Sequence, residues 1–140
     1  KEASGDELDD IAALGEEVWN EPMPWLRQSL REMTHPVRGT AKVFCARTPE
    51  RVVGSGWIEF HGASRFAQLC GGSLLESHRR RGLYSRLFER RVDEARARSV
   101  PYIAVDASAM SRPILERRGF RYVCATWFMR GPPATPMKGG

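Results

Sequence analysis

The chain has 140 residues, 41% hydrophobic and 28% charged, a balance that excludes a disordered tract and fits one globular domain with a real core. Its formal net charge of +5 rests on arginine, since the only lysines are Lys1, Lys42 and Lys138, and it favours anionic partners without choosing among them. No apolar run approaches the roughly 20 residues a membrane span needs, and the histidines at 35, 61 and 78 are too scattered for a metal site, so neither membrane nor metal is expected. Cys45, Cys70 and Cys124 form no CxxC pair and are odd in number, which points to a reduced, cytoplasmic setting rather than a disulfide framework.

The sequence begins at Lys1, with neither Met nor a signal-like segment, and reads as a piece whose natural start lies upstream. Ser4-Gly5-Asp6-Glu7 has the S-x-x-E form of a capping box. Leu8, Ile11, Leu14 and Val18 follow at helical spacing, so a helix is predicted over 6–20. "NEPMP" (20–24) breaks it, and a second helix is predicted over 24–34 with Trp25, Leu26, Leu30 and Met33 as its apolar stripe. From Ala41 the period shortens: 41–47 and 52–61 read as the strands of a hairpin around the turn "TPER". A third strand, 65–76, contains Gly71-Gly72, the mark of a bulge or a close backbone approach.

Beyond it the spacing predicts a helix over 83–99, a short buried strand over 101–107, a helix over 108–119 stopped by Gly119, and a long strand over 120–130. The tail, 131–140, lacks core-forming residues and is expected to be mobile. Residues 1–130 thus form one domain. A meander followed by a β-α-β unit implies an α/β (α+β) fold, a mixed sheet with helices on it.

Between the third strand and the third helix stands "ESHRRRGLYSRL" (76–87). The first turn of a helix leaves N–H groups unpaired and carries partial positive charge. A glycine lets a ligand approach the backbone there, and arginines add charge-assisted hydrogen bonds. On chemistry alone this is a phosphate site.

"RRRGLY" (79–84), after "GGSLLESH" (71–78), resembles the pyrophosphate-binding signature of the GNAT superfamily of N-acetyltransferases, R/Q-x-x-G-x-G/A after a bulged strand. Arg79 matches its first position and Gly82 its central glycine; Tyr84 replaces the final small residue. "DASAMSRPILERRGF" (106–120) resembles the late strand–helix–"GF" region of the same fold, and the element order agrees over nearly the whole chain.

The resemblance implies a mostly antiparallel sheet with a splayed cleft, and acetyl-CoA as cosubstrate between the third strand and the strand at 101–107. Backbone groups of Gly72, Ser73, Leu74 and Leu75 would pair with the pantetheine arm. Arg79, Arg80, Arg81, Gly82, Leu83 and Tyr84 would hold the pyrophosphate. Ser108 stands where the family often has an asparagine near CoA, and serves equally as a helix N-cap. An amine would attack the thioester directly, without an acyl-enzyme.

The tyrosine that the family often uses as general acid falls on Leu115 here. Ser111, one turn earlier, is the candidate nearest the sulfur, against a plain reading as a polar residue before Pro113. Glu59 is the candidate base, against a reading as a solvent-facing strand residue; His61 and Asp106 rank behind it. His78 is expected to position the loop, and Trp25, Trp57, Trp127 and Phe128 to line core or cleft. The arginines of the long helix read mostly as a solvated face, with Glu94 and Arg98 paired at i,i+4.

Three functions compete, in this order: an N-acetyltransferase for an amine acceptor, a catalytically weak acyl-CoA-binding accessory or sensor domain, and a nucleic-acid module. The acids among the helix arginines and the lack of any recognisable nucleic-acid motif argue against the third. A homodimer or a neighbouring domain is left open by the final strand.

Overall fold

The structure, a computed structural model, describes residues 1–127. In chain order it comprises α1 (Glu7–Trp19), α2 (Leu26–Met33), β1 (Ala41–Arg47), β2 (Val52–Phe60), β3 (Phe66–Leu74), a 3-10 turn (Glu76–His78), α3 (Leu83–Ala97), β4 (Tyr102–Val105) and α4 (Arg112–Glu116). The strands form one sheet in the order β1-β2-β3-β4, antiparallel except for the parallel β3–β4 pair. This is the mixed, mostly antiparallel sheet expected from the sequence. The chain divides into two compact units, Lys1–Val105 and the part from Asp106 onward.

In the first unit, ladder partners share a face, so the register sorts the side chains. Val43, Cys45 and Trp57 lie on one face and pack with Leu8, Ile11 and Leu14 of α1 and Leu26 and Leu30 of α2. Phe44, Gly54, Gly56 and Ile58 lie on the other, where α3 turns Leu87, Phe88, Arg91 and Ala95 inward. An isolated eight-residue helix such as α2 is not stable in water. Burial of Leu26 and Leu30, about 2 kcal/mol each, holds it in place.

The segment before α1 does more than the sequence suggests. The Ala3 N–H donates to Val43 C=O (2.9 Å) and the Cys45 N–H to Lys1 C=O (2.9 Å), so residues 1–3 extend the sheet beyond β1 as a rudimentary strand. Glu7 completes half of the predicted capping box by accepting the Ser4 N–H (3.2 Å). It also meets Lys1 Nζ (2.7 Å) and Arg47 Nη1 (3.1 Å). These contacts, the Lys1 hydrogen bond foremost, hold its carboxyl below the ordinary carboxylate range against the opposing effect of burial.

A carboxyl depressed on folding stabilises the native state above its unfolded pKa, and that contribution is lost as pH falls through the folded value. Its partners are half exposed, so the contribution is modest, about 1 kcal/mol. Glu7→Gln is therefore expected to lower the melting temperature by a few degrees near neutrality and to converge on wild type as pH falls below about 5, which flattens the acid side of the profile. An unchanged acid limb would remove Glu7 from the account.

Four expectations need correction. The strand predicted as buried over 101–107 is β4, an edge strand among the described residues, with Tyr102 and Ala104 exposed and Ile103 and Val105 half-buried. The helix predicted over 108–119 is only α4: Ser108 and Ser111 bond each other and the local backbone, which delays the helix start, and Pro113 sits in its first turn. Residues 120–127 of the predicted final strand form no ladder: strand propensity yields a strand only where a partner pairs with it, and among the described residues none does. They are held instead by Arg112 over the Tyr122 ring (4.5 Å) and by Thr126 Oγ1 donating to Asp106 Oδ1 (3.2 Å). Residues 128–130 of that strand and the tail 131–140 lie outside the described residues.

The fourth correction concerns the tryptophans and Arg91. Trp57 is buried, but Trp25 is 60% and Trp127 86% exposed; Phe128 is outside the described residues. Arg91, read with its neighbours as solvated, is 3% exposed.

Candidate active site

The β3–β4 ladder runs from Phe66/Tyr102 to Leu69/Val105 and stops, while β3 continues to Leu74. Past Leu69 the β4-facing edge of β3 therefore pairs with no strand among the described residues, which leaves a notch there. At its start is a bulge: Ser55 pairs with Ser73 and Trp57 with Cys70, so Gly56 stands opposite both Gly71 and Gly72. Gly71 has φ +59°, which glycine adopts without penalty. A Cβ there would overlap the six-membered ring of Trp57.

Backbone groups alternate sides along a strand. The Leu75 N–H donates to Val53 C=O (2.9 Å), so the Leu74 groups turn toward the notch. Of the residues expected to meet the pantetheine arm, Leu74 presents backbone to the notch and Leu75 does not present its N–H. Ser73 has its hydroxyl engaged, accepting from Trp19 Nε1 (3.0 Å). Its neighbour Gly72 lies against Tyr84, whose Cε2 would stand 3.7 Å from a Cβ at position 72.

The 3-10 turn carries the chain from β3 to α3. His78 and Arg79 donate their N–H groups back to Leu75 and Glu76 carbonyls (2.9 and 3.1 Å), and His78 Nδ1 meets Ser77 Oγ at 2.9 Å. Arg80 then takes φ +62° and Gly82 φ +76°, and α3 begins at Leu83. Among the described residues the backbone N–H groups of Arg80, Arg81, Gly82, Leu83 and Tyr84 make no hydrogen bond, and the side chains of Arg79, Arg80 and Arg81 make no ion pair. Five consecutive free amides, three unneutralised guanidiniums and a helix N-terminus meet on one exposed loop. Such an arrangement fits a polyanion.

Glu59 sits on β2 between Ala41 and Gln68, on the same face as Trp57, and accepts the Trp57 Nε1–H at 2.8 Å. It is two residues along the strand from the bulge. Ser108 and Ser111 belong to the second unit, where their hydroxyls are 3.1 Å apart and Ser108 Oγ accepts the Ser111 N–H (3.2 Å). That is a local serine turn ahead of α4, whose own start has no side-chain cap. Leu115, at the position of the family tyrosine, is buried.

Arg91 is the residue that sequence reasoning missed. Its Nε donates to Leu87 C=O (3.0 Å) and its Nη1 to Cys70 C=O (3.3 Å), directly beside the bulge. Desolvation pushes its pKa down from the ordinary arginine value, opposed by Tyr84 and Cys70 nearby, but a guanidinium keeps its proton. The signal was present: Leu87, Arg91 and Ala95 recur at i, i+4, i+8, a core stripe with an arginine in its centre.

A family model described as an acetyltransferase (GNAT) domain matches residues 7–139. An acetyltransferase from Trypanosoma brucei superposes with TM-score 0.74 at 19% identity, over 93% of this chain and 96% of the other. A predicted acetyltransferase from Clostridium acetobutylicum, solved with acetyl-CoA, gives TM-score 0.76 at 14% identity, over 93% and 94%. The aminoglycoside N-acetyltransferase AAC(6')-Iy, in complex with a CoA-linked bisubstrate analogue, gives TM-score 0.76 at 17% identity, over 94% and 96%. At these identities the likeness speaks to the fold. No curated protein sequence matches. The family match covers nearly the whole chain and agrees with the bulged strand, the notch and the arginine–glycine loop: the chain belongs to the GNAT family of acetyltransferases.

Proposed function

We propose that this chain is an acetyl-CoA-dependent N-acetyltransferase acting on a primary amine. The observation that carries the reading is the row of free amides over 80–84 beside Arg79–Arg81, at the end of the notch along β3. The loop suits a diphosphate, and the notch suits an extended arm that hydrogen-bonds a strand edge at Leu74. Acetyl-CoA, when bound, supplies an activated acetyl group on sulfur.

The chain's own residues then have few tasks. The bulge amides face the thioester carbonyl and stabilise the negative charge that forms on its oxygen. Glu59, through water, takes the proton from the attacking amine as the C–N bond forms. The C–S bond breaks and the thiolate takes a proton from water. The acceptor class has one pointer: the compared AAC(6')-Iy is an aminoglycoside N-acetyltransferase, so aminoglycosides belong in an amine screen.

A second reading, an acyl-CoA-binding domain with weak chemistry, is favoured by one observation: the family's acid position is the buried Leu115. Both readings require the cofactor loop. Calorimetric titration with acetyl-CoA, with CoA and ATP as controls, tests it. An Arg79→Ala/Arg81→Ala double variant should bind both CoA species about 10- to 100-fold more weakly, with a shallower salt dependence. Equal affinity in the variant, or no binding by a folded wild type, would reject the loop as the site. A cytoplasmic setting, and a homodimer or neighbouring domain as partner, stay as proposals beside this one.

A further inference from the structure

We propose that Arg91 is a positioning residue of the acyl-transfer site: its buried guanidinium fixes the Cys70 carbonyl behind the bulge and lends positive potential to the thioester carbonyl on the other side. The inference rests on the acetyl-CoA reading above.

The first observation is electrostatic. Arg91 is 3% exposed and forms no ion pair with any described carboxylate. A buried cation without a counter-charge is costly, and a well-packed apolar side chain in its place is often neutral or stabilising. Fold alone therefore gives no reason for it.

The second is geometric. One side of the guanidinium is fixed by two carbonyls, Leu87 in its own helix and Cys70 in β3. Its plane lies against Gly56, where a Cβ would stand 2.9 Å from Arg91 Cζ, so the glycine makes the room the arginine occupies. On the opposite face of the sheet Trp57 covers Gly71. The bulge is thus clamped between a cation and an indole, each seated on a glycine. Tyr84, two helical turns before Arg91, closes the same pocket against Gly72.

The chemistry follows from position. As the amine nitrogen bonds to the acetyl carbon, the carbonyl oxygen gains negative charge until the C–S bond breaks. A fixed cation in a water-poor site favours that charge more than a solvated one and needs no reorganisation as it forms. Arg91 acts through the backbone it holds and through its field, without touching the acetyl group.

The test uses [1-13C]acetyl-CoA with the wild-type chain, R91M and R91K. The bound carbonyl resonance of the wild type is expected downfield of the free ligand. R91M should bind acetyl-CoA within about threefold of wild type, melt no lower, and lose more than half of that displacement; R91K should fall between the two. With an accepted amine, kcat of R91M should fall about ten- to a hundredfold at unchanged acetyl-CoA KM.

Full displacement in R91M overturns the inference alone. So does a loss of displacement that only tracks weaker binding and a lower melting temperature, the signature of a purely structural arginine. If R91M does not fold, R91K decides: displacement equal to wild type overturns the inference, and a smaller one at unchanged affinity supports it. A wild type that does not bind acetyl-CoA overturns the underlying function, and this inference with it.

Discussion

Gly71→Ala is expected to lower stability by about 3 kcal/mol, a fall of roughly 10 °C in Tm for a chain of this length. Two separate costs combine. Gly71 holds φ +59°, where an L side chain meets the carbonyl that follows, at about 1 kcal/mol. The new methyl would also occupy the space of the Trp57 ring, and that ring cannot simply swing away. It is buried among Val43, Cys45 and the leucines of α1 and α2, and its Nε1–H is bonded to Glu59. Displacing it adds about 2 kcal/mol of overpacking.

Gly82 provides the control. It has φ +76°, but nothing lies within 4 Å of the point where a methyl group would stand, so Gly82→Ala should show the backbone cost alone, about 1 kcal/mol. Trp57→Leu placed in the Gly71→Ala background should restore part of the loss, since the two changes share one volume and cannot add independently. Thermal melts of the four proteins decide the matter. A Gly71→Ala chain that melts within about 2 °C of wild type would mean that Trp57 does not lie over the bulge.

The same residues show how much of the molecule was legible in its sequence. Hydrophobic period located α1, α2, β1, β2, β3 and α3 within a few residues, because each buries a face whose spacing is local information. Gly71-Gly72 announced the bulge, and "RRRGLY" the loop with its free amides, because both depend on backbone geometry that particular residues permit. The errors lie where structure depends on a partner. Residues 120–127 have strand-forming side chains and join no ladder, and Ser108 and Ser111 satisfy each other instead of starting a helix. Charge alone groups Arg91 with its exposed neighbours, although its place in the i, i+4 stripe contradicts that grouping. Such a conflict between period and polarity is itself a signal, and here it falls beside the bulge of β3.

Glu59→Gln is expected to reduce kcat by about 10²- to 10³-fold while acetyl-CoA affinity stays within a factor of about two. The substitution is nearly isosteric, and glutamine's carbonyl oxygen can still accept the Trp57 Nε1–H, so the indole and the bulge it covers keep their places. Only the ability to take a proton is removed. Glu59 is suited to that task because no described arginine or lysine pairs with it, although the chain carries an excess of five positive charges. A carboxylate already committed to an arginine would be a poor acceptor. Its location also suits the role: it shares the Trp57 face, two residues from the bulge where the thioester carbonyl is proposed to sit. Trp57→Phe separates orientation from proton transfer. It removes the donor that aims Glu59 and keeps most of the ring that covers Gly71, so its effect on kcat should be smaller, about tenfold. Steady-state kinetics of both variants with one amine, alongside calorimetry with acetyl-CoA, distinguish the possibilities. A Glu59→Gln enzyme that turns over within about threefold of wild type would return Glu59 to an ordinary strand surface. The amine would then lose its proton to water, and the chain's contribution to the reaction would reduce to binding, the bulge amides and the buried charge of Arg91.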